Sequence, residues 1–250
     1  MTTPYLTAAL PTPHGFFTRA GGVSEGRFAS LNCSLNGRDD PAAAIENRRR
    51  ATSALGFGTL LGLVQVHGAE VAVADAPWEE RPRADALVTS TPGLLLGIVT
   101  ADCAPVLFSA PGVVGAAHAG WRGAVAGVLE ATVDAMVGLG ADPARISAAI
   151  GPCIRQPSYE VAADLRDEVL AEDADATRFF ADGARPGRWW FDLAGYCAAR
   201  LARRGIVAET LAADTLAEPG RFFSHRRATL AQDQPVGHQL SAIGLAPWAG

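Results

Sequence analysis

The stretch LLLGIVTADCAPVLFSAPGVVGAAHAGWRG, residues 94–123, carries most of the architectural information in the chain. Leu94–Thr100, Pro105–Phe108 and Val113–Ala117 are apolar and strand-sized, and they read as buried strands. Two polar intrusions break them. Asp102-Cys103 lies between the first and second runs, and Pro105 interrupts the ladder there, which puts Cys103 at a bend or bulge. His118 closes the third run and is followed by Gly120-Trp121-Arg122-Gly123. A helix is predicted from about Ala124 to Val137, because Val125, Val128, Leu129, Val133, Met136 and Val137 fall on one face at three-four spacing. Gly138 and Gly140 end it.

Working outward, Asp40 is a predicted N-cap with Pro41 at the first helical position, opening a helix to about Leu55. Leu63–Ala74 alternates like a strand pair or one bent strand, with His67-Gly68 at the break. Ile146–Ile150 is a strand ending in Gly151-Pro152-Cys153. A helix covers about Val161–Ala171. Asp192 caps another to about Arg204, closed by Gly205. Ile206–Leu211 and Gln239–Leu245 are strands. Asp75–Arg83 and Ala181–Arg188 read as surface loops. Helices and strands alternate irregularly, so the chain is expected to be an α/β domain of α+β-like character with mixed sheets, not a doubly wound one. There is no internal repeat, and residues 1–250 read as a single domain.

Composition narrows the function classes. The 250 residues are 49% hydrophobic, enough for a large core. No apolar run reaches the ~18–20 residues of a membrane helix, and the first residues lack the pattern of a secretory signal. A cytoplasmic location without membrane partners is expected. The formal net charge is -5, and all 21 basic residues are arginine. They are scattered, which argues against a nucleic-acid partner. The four cysteines, Cys33, Cys103, Cys153 and Cys197, contain no Cys-x-x-Cys pair and are expected to be reduced thiols.

The chemistry concentrates in a few residues. His67, in Val64-Gln65-Val66-His67-Gly68, and His118 each end an apolar strand, where a rigid scaffold projects side chains into a site. Cys103 shares that setting. Two imidazoles and a thiolate make a three-ligand site suited to zinc, with a fourth position for water or substrate; copper accepts the same trio. Spacing alone singles out no metal motif, since the ligands are far apart in sequence. Asp102 is either a turn residue or an acceptor that orients a histidine ligand. Gly120–Gly123 offers helix-start amides and Arg122 for an anion, or is a plain strand-to-helix turn. Arg226 and Arg227 follow an aromatic strand and either bind phosphate or carboxylate or lie in solvent.

The segments HGFFTRAGGVSEGRFASLN (14–32), NRRR (47–50), QVHG (65–68), TADCAPVLF (100–108), HAGWRG (118–123), AAIGPCI (148–154), YEV (159–161), FDL (191–193) and FFSHRR (222–227) occur in that order along almost the whole chain. In this ordered set the sequence resembles the bacterial laccase-domain family, also called the polyphenol oxidase or peptidoglycan editing factor family, YfiH-type relatives of mammalian FAMIN. The resemblance implies a sandwich of mixed sheets flanked by helices. It implies a mononuclear zinc site on His67, Cys103 and His118, with copper the other metal attached to the family. It also implies purine nucleoside phosphorylase activity on inosine, adenosine and methylthioadenosine, with adenosine deaminase activity, so that the partners are a purine nucleoside and phosphate. Asn36 matches a position that contacts the nucleoside, and Arg48, Arg122 and Arg226 are the arginines offered for phosphate.

Two departures stand out. Asp214-Thr215 replaces the family's usual Cys-Thr, and Gly237-His238 replaces its usual Gly-Arg. A multicopper oxidase needs roughly ten histidine ligands at two or three per copper, and this chain has five. The remaining alternatives are a mononuclear copper oxidase, a cysteine hydrolase of cell-wall precursors, with Cys103 as nucleophile and His118 as base, and a non-catalytic binding protein with a structural zinc, against which three protein ligands rather than four argue.

Overall fold

Leu94–Thr100 has almost no solvent-facing side. Leu94, Leu96 and Ile98 pack into one hydrophobic layer, and Leu95 with Val99 packs into another. A strand covered on both faces loses the apolar-polar alternation of a half-exposed one and becomes a continuous apolar run. The structure is a computed structural model that describes residues 4–35 and 39–246. In chain order its strands are β1 (Tyr5–Leu6), β2 (His14–Phe17), β3 (Thr59–Leu61), β4 (Val71–Val73), β5 (Ala86–Thr89), β6 (Leu94–Thr100), β7 (Ala104–Ala110), β8 (Val113–Ala119), β9 (Ser147–Ile150), β10 (Glu160–Ala162), β11 (Phe180–Asp182), β12 (Arg188–Phe191), β13 (Ala208–Thr210) and β14 (Gln239–Gly244). The helices are α1 (Pro41–Ala54), α2 (Trp121–Ala126), α3 (Val128–Gly138), α4 (Ala163–Glu172), α5 (Leu193–Ala202) and α6 (His225–Leu230).

Two mixed sheets stack face to face. One has the order β1-β2-β14-β6-β3, the other β13-β9-β7-β8-β5-β4. Each combines antiparallel neighbours with parallel ones at its edges, β3 beside β6 in the first and β4 and β13 in the second. Phe16, Leu96, Ile98, Leu107, Val114, Ala149 and Ile243 fill the layer between them. The far face of the six-stranded sheet, with Val88, Val106, Phe108 and Ala117, packs on Val128, Val133 and Met136 of α3 and Tyr196 and Leu201 of α5. The far face of the five-stranded sheet packs with Ala51 of α1 and with Leu31, Cys33 and Phe57. The expected α/β sandwich of mixed sheets is therefore the observed fold. The chain passes from one sheet to the other at Ala101–Cys103, between β6 and β7, and that crossing lies at the end of the sandwich where the site is built. Among the described residues, no helix is long and apolar enough to cross a membrane.

Several expectations are corrected. Residues 62–70 do not form the strand read through QVHG: only Val64 makes a bridge, to Arg83. The amides of Val66, His67 and Gly68 are bound instead by a carboxylate, so they are not free for a ladder. The helix predicted from Ala124 begins at Trp121 and breaks at Gly127, whose φ of 92° lies in the left-handed region that glycine adopts without a Cβ penalty. Glu160–Ala162, placed near a helix start, is a strand. Phe222–Ser224 is no strand; Ser224 Oγ accepts from Arg227 N at 3.1 Å and caps α6. The loop read at 181–188 is the turn of a hairpin whose strands β11 and β12 join β10 in a third, antiparallel sheet. Stacked Phe180 and Phe191, 4.5 Å between ring centroids, hold that hairpin.

One contact between layers is tight enough to test. A Cβ on Gly151 would meet the Phe16 ring at 2.1 Å, and Phe16 is fully buried. Gly151→Ala is expected to destabilise the fold by about 1–3 kcal/mol through overpacking, read as a lower urea midpoint with an unchanged slope.

Candidate metal centre

β8 carries His118, and residues on a strand alternate between its faces. His118 shares the parity of Val114 and Ala116, which pack between the sheets, so its ring projects into the end of that layer and is 3% exposed. The crossing after β6 brings Cys103 beside it. The loop 62–70 brings His67 to the same point, 4.8 Å between the two imidazole centroids in an edge-to-face arrangement. The nitrogen and sulfur ligand atoms of His67, Cys103 and His118 all lie within 4.8 Å of one another. Among the described residues this is the one group of three or more His, Cys, Asp or Glu side chains so placed.

Asp85, at the mouth of β5 and fully buried, organises the group. Its Oδ1 accepts from His118 Nδ1 at 2.8 Å and from His67 N at 2.9 Å. Its Oδ2 accepts from Gly68 N at 2.7 Å and Val66 N at 3.1 Å. One carboxylate thus turns His118 so that Nε2 faces the cluster and also pins the loop bearing His67. His67 has φ 61°, a conformation that costs a non-glycine residue about 1–3 kcal/mol; three amide bonds to Asp85 offset it. The sequence left Asp102 as either a turn residue or this orienting acceptor, and the structure makes it the turn residue and gives the orienting role to Asp85. Asp102, φ 90°, is a turn residue that accepts from Thr215 Oγ1 at 2.6 Å, Ser224 Oγ at 3.0 Å and Arg226 N at 2.6 Å. It ties the crossing to the start of α6. Asp85 gave the same signal as Asp102, a lone acid at the start of an apolar strand, but nothing local showed which acid faces the histidines.

The electrostatics suit a cation. Burial alone raises the Cys103 thiol, yet the positive charge of His118 and hydrogen bonds from His118 and His67 outweigh it and bring it down to about 6. Burial alone lowers His118, while the Cys103 thiolate and the Asp85 carboxylate outweigh it and bring it up to about 9. Burial raises Cys33 and Cys153 to about 12 and Cys197 well above the usual thiol range, so they are inert. Ligand bonds of ~2.0–2.3 Å would separate three tetrahedral ligand atoms by about 3.3–3.8 Å, which a slight closure of the observed group attains. A Cβ on Gly120 would stand 3.0 Å from Cys103 Sγ and 3.2 Å from His67 Cδ2. The first glycine of HAGWRG is what leaves the cluster room. His67, Cys103 and His118 fit a thiolate-imidazole metal such as zinc or copper.

Two cavities flank the group. The larger, about 390 Å³, falls within the roughly 300–1,000 Å³ of small-molecule sites and is lined by His67, His118, Arg48, Arg81, Thr100 and His238, among others. The smaller, about 120 Å³, is lined by Cys103, Tyr159, Arg226 and Leu193. Ala101 and His225 border both. Arg48 reaches the Cys33 carbonyl at 3.3 Å. Arg226 Nη1 donates to Glu160 O at 2.7 Å and stacks over Tyr159. Arg122 is exposed, stacks on Trp121 and lines neither cavity. Asn36 lies outside the described residues. Four of the five histidines face the larger cavity, and His225 and His238 among them had no signal of their own. His14 is structural, with Nε2 accepting from Ala8 N and Nδ1 donating to Thr12 O.

A mixed-sheet sandwich carrying a His-Cys-His group at one end defines a class of protein, and comparison agrees. Residues 13–246 match the family model described as multi-copper polyphenol oxidoreductase laccase, and the chain belongs to this laccase-domain family. A Deinococcus radiodurans protein named purine nucleoside phosphorylase is 45% identical over 97% of this chain and 93% of its own length. A Streptomyces griseus protein of similar name is 43% identical over 85% and 87%. Among solved structures, a Neisseria meningitidis protein superposes with a TM-score of 0.88 at 32% identity, covering 98% of this chain and all of that one. YlmD from Geobacillus stearothermophilus gives 0.85 at 30%, covering 98% and 99%.

Two outcomes follow. Asp85→Ala should weaken metal binding about 10–100-fold, the usual effect of removing a ligand's orienting partner, in a chelator-competition titration. In metal-stripped protein the thiolate is the reactive form, so alkylation of Cys103 by iodoacetamide should speed up as pH rises through about 6. Cys33, Cys153 and Cys197 should stay unmodified while folded. A midpoint near the ~8.5 of a free thiol would contradict the Cys103–His118 pairing.

Proposed function

We propose that this chain is a purine nucleoside phosphorylase working at a single-metal centre, as one domain and in the reducing cytoplasm. Zinc is the proposed ion, held by His67, Cys103 and His118. The observation that carries the reading is the pair of unequal cavities meeting at this group: the larger has room for a nucleoside, and the smaller, about four times the ~30 Å³ share of a water, has room for one oxyanion. The names of the relatives point the same way.

In the proposed reaction an oxygen of hydrogenphosphate bonds to ribose C1′ while the C1′–N9 bond breaks. Arg226 is the arginine we assign to phosphate, because it shares the smaller cavity with Cys103. The neighbouring Asp102 is bound by three donors, which tempers its repulsion of an anion. Arg48 lines the nucleoside side. Asp85 keeps the His118 imidazole and the His67 backbone in place throughout. A zinc ion on the three ligands would supply Lewis-acid polarisation at its open position. We include adenosine deamination in the proposal, since the larger cavity, with His67 and His118 in its wall, has the volume of a small-molecule site. The single three-ligand group among the described residues and the five histidines of the sequence favour this over multicopper oxidation.

A second reading has its own support. Cys103, His118 and Asp85 form a thiolate–imidazolium–carboxylate series, the arrangement of a cysteine hydrolase. His67 has no part in such a series, which is why the metal reading is preferred. A covalent acyl adduct on Cys103 after incubation with a cell-wall amide precursor would reverse that order.

The deciding measurement is hypoxanthine release from inosine with and without phosphate. The wild type should require phosphate, and Cys103→Ala and His118→Ala should abolish release. Arg226→Met should raise KM for phosphate about tenfold or more, the worth of a charged hydrogen bond, and leave KM for inosine nearly unchanged. No release from inosine or adenosine by the wild type would overturn the reading, as would oxygen consumption with stoichiometric copper.

A further inference from the structure

The wall of the larger cavity contains two polar atoms that the protein leaves unpartnered. Thr100 Oγ1 and His238 Nδ1 are buried and have no hydrogen-bond partner among the described residues, and both residues line the cavity. Buried polar atoms without partners are few in native proteins and mark places where a water or ligand completes the bond. The two residues are neighbours in the fold, because the β6–β14 register sets Gln239 opposite Thr100 and His238 precedes Gln239. The His238 backbone is anchored on both sides: its N–H donates to Asn32 Oδ1 at 2.9 Å, and its carbonyl accepts from Cys33 N at 3.0 Å. An anchored backbone presents the ring in a set place.

The ring is neutral. Burial, followed by the positive charge of His118, His225 and His67, outweighs a backbone hydrogen bond to Val236 and holds His238 down to about 4. A neutral imidazole has one N–H to donate and one lone pair to accept. It is too weak an acid to surrender its proton at neutral pH, but it strengthens a hydrogen bond as negative charge develops opposite it.

We propose that His238 is the leaving-group residue of the phosphorolysis, its ring N–H donating to N7 of the purine as the glycosidic bond breaks. This rests on the phosphorylase reading above. The electron pair of the C1′–N9 bond leaves with the base and spreads through its five-membered ring onto N7. N7 is the ring nitrogen of that half not bonded to the sugar. The hydrogenphosphate oxygen takes over C1′, and the proton of hydrogenphosphate ends on the released purine, so His238 is unchanged at the end of the turnover. Thr100 supplies a second hydrogen bond to the base from the same wall.

The test compares inosine with 7-methylinosine, whose N7 is already alkylated and positively charged and needs no donor. His238→Ala should lower kcat for phosphorolysis of inosine about 10²-fold, the scale of removing one donor to developing charge, with KM changed only a few-fold. The same variant should cleave 7-methylinosine at close to the wild-type rate. His238→Asn, which returns an N–H near the Nδ1 position, should recover much of the loss, and His238→Leu should not. In wild-type protein, hypoxanthine should bind about tenfold more tightly than 7-deazahypoxanthine by calorimetry, a readout that needs no variant. Equal losses on both nucleosides, an undiminished inosine reaction in His238→Ala, or equal affinity for the two bases would overturn this inference alone. A wild type that cleaves neither nucleoside would overturn the phosphorylase reading and this inference with it.

Discussion

Everything at the active end of this molecule depends on where the Asp85 carboxylate sits. It accepts from one imidazole nitrogen and three consecutive backbone amides, and a buried carboxylate needs that many donors to remain charged. Removing any of these partners would leave an acid or a loop uncompensated. The result couples two segments far apart in sequence, the His67 loop and β8, through a third. The thiolate of Cys103 then has two imidazoles to face, and the mutual charges of Cys103 and His118 arise from that approach.

The sandwich explains why the site is at its end. Between the sheets the layer is dry and packed with Phe16, Leu96, Ile98 and Leu107. At Ala101–Cys103 the chain leaves one sheet for the other, and the ladders stop. Backbone groups freed there are taken up by side chains: Gln65 serves both the N–H and the carbonyl of Val99, and Asp102 caps α6. Polar side chains gather where the ladder ends, and the two cavities open among them. Glycines at 120 and 123 are required by close approach, since a Cβ at Gly123 would stand 3.0 Å from Gly68 O.

Charge is distributed unevenly across the site. The smaller cavity has Arg226 beside an Asp102 already bound by three donors, whereas the larger has Arg48, Arg81 and four histidines. Burial opposes charge on both His238 and His118, but only His118 has a thiolate and a carboxylate against it, so His118 gains a proton and His238 stays neutral.

Much of this was readable from residue order. Unbroken apolar runs at 94–100 and 113–117 announced strands buried on both faces, Asp40-Pro41 announced α1, and Asp192 and Gly205 bracketed α5, because each signal acts within a few residues of itself. The same holds for the pairing of mixed strands with irregular helices. His67, Cys103 and His118 were named from strand ends and from family words, but their approach to within 4.8 Å is a property of three segments meeting. The tertiary structure alone chose Asp85 over Asp102 as the acid that holds the histidines, turned the 62–70 strand into a loop, and brought His225 and His238 to the cavity wall. Hydrogen bonds across long sequence separations decide such matters. An acid at a strand mouth looks the same from its neighbours whichever partner the fold later sets against it.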